Sequence, residues 1–110
     1  MDKRLFHITS EAEATIAQRA GEYVPKAFAA EGFIHCSYAH QVPVTLNRIF
    51  KGRTDLVVLE IDPARLTCKV IDENLEGGAE LFPHIYGKLP IFAVVRIIPA
   101  GDFVIPFAHE

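Results

Sequence analysis

The chain has no tryptophan, one methionine and two cysteines, Cys36 and Cys68, among its 110 residues. The cysteines sit among apolar neighbours and form no Cys-x-x-Cys unit, which excludes a compact metal knuckle and a dithiol redox motif. Both read as buried free thiols. Cationic excess is also missing: the formal net charge is -3, whereas domains that grip nucleic acid through its phosphates are usually basic. Nucleic acid is therefore not an expected partner. No apolar run reaches the length of a bilayer-spanning helix. The opening Asp2-Lys3-Arg4 leads into no apolar stretch of signal-peptide length. The expectation is a cytoplasmic protein without membrane contact. There is no Gly-x-Ser-x-Gly elbow for a serine nucleophile. Nor is there a phosphate-cradling glycine loop, which Gly77-Gly78 alone does not supply. Internal repeats and low-complexity tracts are absent.

Half of the residues are hydrophobic and 23% are charged, enough for one domain with a core that needs no staple. Arg4 to Ile8 reads as a strand. Ser10 and Glu13 have capping-box spacing and open a helix with Ala12, Ile16, Ala17 and Ala20 on its apolar stripe. Gly21 is its predicted C-cap. Tyr23 to Glu31 is an irregular crossover around Pro25. After the strand through His35, Ser37 is the predicted cap of a second helix, about Tyr38 to Phe50. Val42, Leu46, Ile49 and Phe50 share one face of it, and Pro43 fits only its first turn. Leu56 to Ile61 is a buried strand and Asp62-Pro63-Ala64-Arg65 a turn. Leu66 to Ile71 is a further strand, and Asp72 to Glu80 an acidic loop. Leu81 to Tyr86 is a short strand or ordered loop interrupted by Pro83. Ile91 to Ile98 is a strand, and Phe103 to Phe107 an edge strand limited by Pro106. Strand and helix alternate only in the first half, so the fold class is α+β rather than a doubly wound parallel sheet.

Gly32-Phe33-Ile34-His35-Cys36-Ser37 is the stretch around which the rest is organised. On a strand, alternate side chains take opposite faces. His35 and Ser37 then share a face that can line a pocket, while Ile34 and Cys36 feed a core. His7, between Phe6 and Ile8, and His84, in Phe82-Pro83-His84-Ile85-Tyr86-Gly87, occupy similar apolar strand settings. A packed histidine satisfied by a carbonyl is the competing reading of each one alone. His40 reads as a helix-surface residue and His109 as part of the tail.

Three histidines could hold zinc with a carboxylate or water, but their spacing matches no compact ligand motif, so no metal is expected. Cys36 faces away from His35 on a regular strand, which argues against a Cys-His dyad. Glu60 and Asp62 read as a solvated strand end. Glu73 and Glu76 are possible pocket carboxylates, with a solvated loop position preferred for Glu76. Arg48, Lys51 and Arg53 cluster at a helix C-terminus, where the helix dipole is a sufficient explanation and an anion site the lesser reading.

Leu5-Phe6-His7-Ile8-Thr9, Gly21-Glu22-Tyr23, Glu31 to Ser37, Asp55 to Asp62 and Phe82 to Gly87 together resemble the bacterial DUF952 family. The resemblance covers nearly the whole chain, with Ala14 where that family commonly has tryptophan. It implies an ADP-ribosyltransferase-like fold: two N-terminal helices packed on a mostly antiparallel split β-sheet. His7-Ile8-Thr9 and His35-Cys36-Ser37 are similar to that superfamily's His-Gly-Thr and His-x-Ser elements, with Ile8 in place of glycine. The implied ligand is a nucleotide-like small molecule, with NAD as substrate. His35 and Glu73 would then be catalytic. His7, Thr9, Ser37, His84 and Tyr86 would bind the ligand, with Tyr86 available to stack on a ring. The alternative is a binding module that keeps the pocket without the chemistry. RNA 2'-phosphate transfer ranks lower, because Arg4, Lys26, Arg48, Arg53 and Lys88 are scattered. No oligomeric state is implied.

Overall fold

The computed structural model describes residues 3–75 and 77–105. Glu76, His109, Pro106 and Phe107, each given a role above, lie outside the described residues.

Among the described residues the fold has eight strands and three α-helices. Strand β1 (Leu5–Ser10) runs into helix α1 (Glu11–Ala20). The Ser10 side chain accepts from the Glu13 N–H, capping α1 as expected, and Gly21 ends it at φ 86°, a backbone state that glycine adopts without steric cost. Then come β2 (Glu22–Tyr23), the single-turn α2 (Phe28–Glu31) and β3 (Ile34–His35). Helix α3 (Val42–Ile49) precedes β4 (Leu56–Ile61), β5 (Lys69–Glu73), β6 (Phe82–Tyr86), β7 (Leu89–Pro90) and β8 (Val94–Pro99).

All strand pairings are antiparallel. The order is β1-β4-β8 in one sheet, β3-β6-β5 in another, with β2 and β7 as a small separate pair. Among the described residues the two three-stranded sheets meet at one bridge, Phe6 to Ser37. Ser37 N–H donates to the Phe6 carbonyl at 2.7 Å, and Phe6 N–H donates to Ser37 at 2.8 Å. The class is thus α+β with antiparallel sheets, as expected.

Why β4 is continuously apolar from Leu56 to Leu59 follows from what covers it. Leu59, Ile61, Leu5 and Val57 pack on one face with Ala14 and Ala17 of α1. Val58, Leu56, Phe6 and Ile8 pack on the other with Val42 of α3. Both faces are buried, so period-2 alternation vanishes. Each fully buried aliphatic side chain contributes about 1.5–3 kcal/mol. Among the described residues no helix is long and apolar enough to cross a membrane.

Several boundaries differ from the sequence expectation. Ser37 does not cap a helix, because its backbone is committed to Phe6. Instead Gln41 Oε1 accepts from the Tyr38 N–H at 2.9 Å. A 3-10 turn at Ala39–Gln41 comes before α3, and Pro43 falls in the first turn of that helix. Three helices replace two, because the crossover contains α2. The strand expected at Leu66 to Ile71 is shifted to β5. Ile91–Ala93 is a 3-10 turn, since the Ile91 N–H is drawn to the Gly21 carbonyl at 2.9 Å. Residues 103–105 are not a strand. Glu60 and Asp62 are ion-paired rather than merely solvated: Arg96 and Arg4 meet Glu60, and Arg4 and Arg65 meet Asp62.

Candidate functional site

Where the stretch 33–37 sends its side chains is set by strand alternation. Ile34 and Cys36 enter the core at 0% and 3% exposure. Burial pushes the Cys36 thiol up, so it stays protonated. Phe33, His35 and Ser37 line a cavity of about 340 Å³, together with Phe6, His7, Glu31, Thr45, Arg48, Phe50 and Phe82 among others.

Pairing to β6 decides where the His35 carbonyl points. Cys36 N–H donates to the Pro83 carbonyl at 3.0 Å. Proline has no N–H to return, so the β3–β6 ladder stops there. His35 and His84 are the next pair, and in an antiparallel ladder such neighbours alternate to the non-hydrogen-bonded kind. Side chains of that kind of pair approach closely, and the two rings lie 4.9 Å apart, edge to face. The His35 carbonyl is turned away from β6, where His7 Nδ1 meets it at 2.5 Å.

His7 is half-buried. Burial lowers its pKa to about 4, so the ring is neutral near pH 7. A carbonyl only accepts, which puts the proton on Nδ1 and leaves Nε2 an acceptor. Tyr23 Oη lies 2.8 Å from that nitrogen and 3.0 Å from the Thr9 hydroxyl. Thr9 is therefore tied to Tyr23 behind His7 and is not among the cavity-lining residues.

Glu73, His84 and Tyr86 form a second cluster. Glu73 Oε1 accepts from His84 Nδ1 at 2.8 Å and from the Tyr86 hydroxyl at 2.6 Å. The Tyr86 and His84 hydrogen bonds hold the Glu73 carboxyl below the usual carboxylate range. The same contact raises the Tyr86 phenol. His84 is 1% exposed and stacks on Phe33, with centroids 4.4 Å apart and planes at 17°. None of these three lines the cavity, and Phe33 and His35 link His84 to it.

The expected residues therefore divide. His7, His35 and Ser37 share the cavity. Thr9, Glu73, His84 and Tyr86 lie off it, supporting its wall. The carboxylate that does line it is Glu31, whose Oε1 is 3.3 Å from His35 Nε2. Sequence reasoning missed Glu31, Thr45 and Phe50 as site residues, and gave Arg48 a site role only in the lesser reading of its basic cluster. For Glu31 the only signal was its place before Gly32, where a tight turn (φ 81°) can fold it back over the strand. For Arg48 it was helical spacing from Gln41 and Thr45.

Beyond geometry, a family profile described as "Protein of unknown function (DUF952)" matches residues 8–97. This chain belongs to the DUF952 family. Thr9, His35, Ser37, Glu73, His84 and Tyr86 fall inside that span, while His7 precedes it by one residue. The crystal structure of protein CC0527 from Caulobacter crescentus is similar at 32% identity, covering 86% of this chain and 82% of that one, with a TM-score of 0.75. The solution NMR structure of CC0527 is similar at 32% identity, with 87% and 83% covered and a TM-score of 0.75. No curated protein matches the chain. Among the described residues of this DUF952 protein, no three His, Cys, Asp or Glu side chains gather as a metal site would require.

Proposed function

We propose that the cavity binds a nucleotide-like small molecule. The observation that carries this reading is the meeting of His7, His35 and Ser37 on one cavity, from two strands bridged at Phe6 and Ser37. Phe33, Phe50 and Phe82 offer aromatic surface to a base. Ser37 offers a hydrogen bond through its hydroxyl, and the Glu31–His35 pair borders the same space. The order of strand, helix α1, glycine turn at Gly21 and histidine strand supports an ADP-ribosyltransferase-like reading of the fold, with NAD as the ligand. Ile8 lines the cavity where that pattern has glycine, which favours binding without chemistry. Calorimetric titration with NAD, ADP and AMP tests the reading. Saturable binding that shifts the NMR signals of His7, His35 and Phe33 is expected, and no binding of any of them at millimolar concentration would sink it.

NAD cleavage is the second reading, favoured by the Glu31–His35 contact inside the cavity. The bond between nicotinamide and ribose would break with its electron pair leaving on nicotinamide. Water would add to the ribose carbon and give its proton to Glu31 or His35. A fixed carboxylate near the oxocarbenium-like carbon lowers that barrier. Glu73, at its distance, would act only by holding His84 behind Phe33. Nicotinamide release is the measurement. It should be lost in Glu31→Gln while NAD affinity changes less than about threefold; release that persists undiminished removes Glu31 from the chemistry.

A further inference from the structure

We infer that the cavity recognises the ring end of its ligand: an uncharged, base-sized heteroaromatic ring sits innermost, hydrogen-bonded to the Ser37 hydroxyl, and the phosphates stay outside the mouth. The inference deepens the nucleotide-pocket reading and rests on it.

Size sets the first limit. A volume of about 340 Å³ is near the lower bound of ligand pockets, roughly 300–1,000 Å³. That space encloses a base and part of its sugar, not a dinucleotide.

Depth sets the second. Phe6, Ile8, Phe33, Cys36 and Ser37 make the buried wall, each at most 9% exposed. The wall carries no charge. Burial keeps the Cys36 thiol protonated, and the neighbouring His7 ring is neutral and held at both nitrogens. An ionised group brought here would lose its hydration and meet no counter-charge. The charged side chains stand where the cavity opens to solvent. Glu31 and His35 are 40% and 41% exposed and meet each other. Arg48 is exposed and has an interaction of its own. All three are engaged before any ligand arrives, and the Glu31 carboxylate repels phosphate.

One polar group of the buried wall is open. The Ser37 N–H and carbonyl are both committed to Phe6, which fixes the residue on the bridge between sheets. Its hydroxyl has no hydrogen-bond partner among the described residues, and no fully enclosed polar side-chain atom among them lacks one. The Ser37 oxygen therefore opens onto the cavity it lines. A ligand seated there excludes water from it, so a plain hydrocarbon would leave the hydroxyl unsatisfied. A hydroxyl both donates and accepts. The edge of a base supplies ring nitrogens and amino or carbonyl groups to meet it, while the rest of the ring meets phenylalanine. A neutral ring with a polar edge suits this wall; a phosphate does not.

Calorimetric titration of the intact protein with adenosine, AMP and ADP tests the inference. The three should bind within threefold of one another, because the phosphates add nothing. Ser37→Ala keeps the backbone bridge and should weaken adenosine about three- to tenfold, the share of one hydrogen bond. Intermolecular NOEs should run from adenine protons to Phe6 and from ribose protons to His35. Should Ser37→Ala fail to fold, the wild-type series and the NOEs decide alone. AMP or ADP binding more than threefold tighter than adenosine, adenosine affinity unmoved in folded Ser37→Ala, or ribose rather than adenine protons against Phe6 overturns the ring-first seat and leaves the nucleotide pocket standing. Failure of all three compounds to bind overturns that pocket and this inference with it.

Discussion

The ring of His7 is hydrogen-bonded to the backbone of His35, Nδ1 to carbonyl oxygen, at 2.5 Å. One histidine thus fixes the strand that carries the other. The bond exists because Cys36 pairs with Pro83 and turns the next carbonyl outward. With Tyr23 Oη 2.8 Å from its second nitrogen, His7 is held at both ring nitrogens. It is a cavity wall and a tie between sheets.

His7 should titrate near pH 4, because burial disfavours its charged form. An unfolded chain takes up that proton near the ordinary histidine value, about 6.5. Between these two pH values the unfolded state holds the proton and the folded state does not. Stability therefore rises with pH across this window and is lost as pH falls through it, by on the order of 3 kcal/mol. Imidazole NMR should place the His7 midpoint near 4. Urea unfolding of His7→Gln should show a flatter stability profile from pH 6.5 to 4 than wild type. A wild-type midpoint at the ordinary histidine value would contradict the satisfied, desolvated ring.

His84 should matter for stability more than its distance from the cavity suggests. Replacing it with alanine removes the ring stacked on Phe33 and takes the Nδ1 donor from Glu73. The expected loss is about 2–4 kcal/mol, combining a cavity with a broken hydrogen bond. Denaturant titration measures it. The Phe33 ring should also gain mobility, read as faster ring flipping by NMR. A His84→Ala variant within about 0.5 kcal/mol of wild type would show that the stack contributes nothing.

Glu73→Gln should lower the Tyr86 phenol pKa. In the native protein the Glu73 carboxylate accepts the phenolic proton and repels the phenolate, which holds that pKa up. A neutral amide removes the charge and much of the preference. Ultraviolet difference titration in Phe backgrounds at Tyr23 and Tyr38 isolates the third tyrosine. The sign for Glu73 itself is opposite: its folded pKa is depressed, so its contribution is present above the ordinary carboxyl range and fades as pH falls below it. An unchanged Tyr86 titration in Glu73→Gln would mean that the pair is not formed in solution.

Much of this fold is written locally. Helix α1 is legible because Ser10 and Gly21 act through their own backbone neighbours. β4 is legible because burial on both faces leaves an apolar run. The two-residue β2 and β7 carry no local signal, since their pairing depends on the Gly21 carbonyl catching Ile91. For the site, alternation along residues 33–37 places Phe33, His35 and Ser37 on the cavity and Ile34 in the core, whereas Cys36, expected on the core side alone, packs in the core and also borders the cavity. Glu73 is a different matter. Its partners are set by the β5–β6 register, in which Glu73 opposes Phe82 and Ile71 opposes His84. That register bends the Glu73 carboxylate toward His84 and Tyr86, and no spacing rule encodes it. Glu31 reaches His35 only because Gly32 turns left-handed between them.

Gly87 closes the Phe82–Gly87 motif for a steric reason that the sequence alone does not reveal. A Cβ at this position would lie 2.8 Å from both Cβ and Sγ of Cys68, closer than such carbons approach. Gly87→Ala must therefore push the end of β6 away from the start of β5, and about 1–3 kcal/mol of stability should be lost to overpacking. Cys68→Gly in the same chain removes both clashing atoms. The double variant should recover most of the loss attributable to Gly87→Ala, giving a coupling of at least about 1 kcal/mol between the two positions. Urea unfolding of wild type, both single variants and the double variant supplies the cycle. Additive effects would mean that the strands absorb a methyl group without strain, and the close approach of Gly87 to Cys68 would then explain nothing about why glycine stands there.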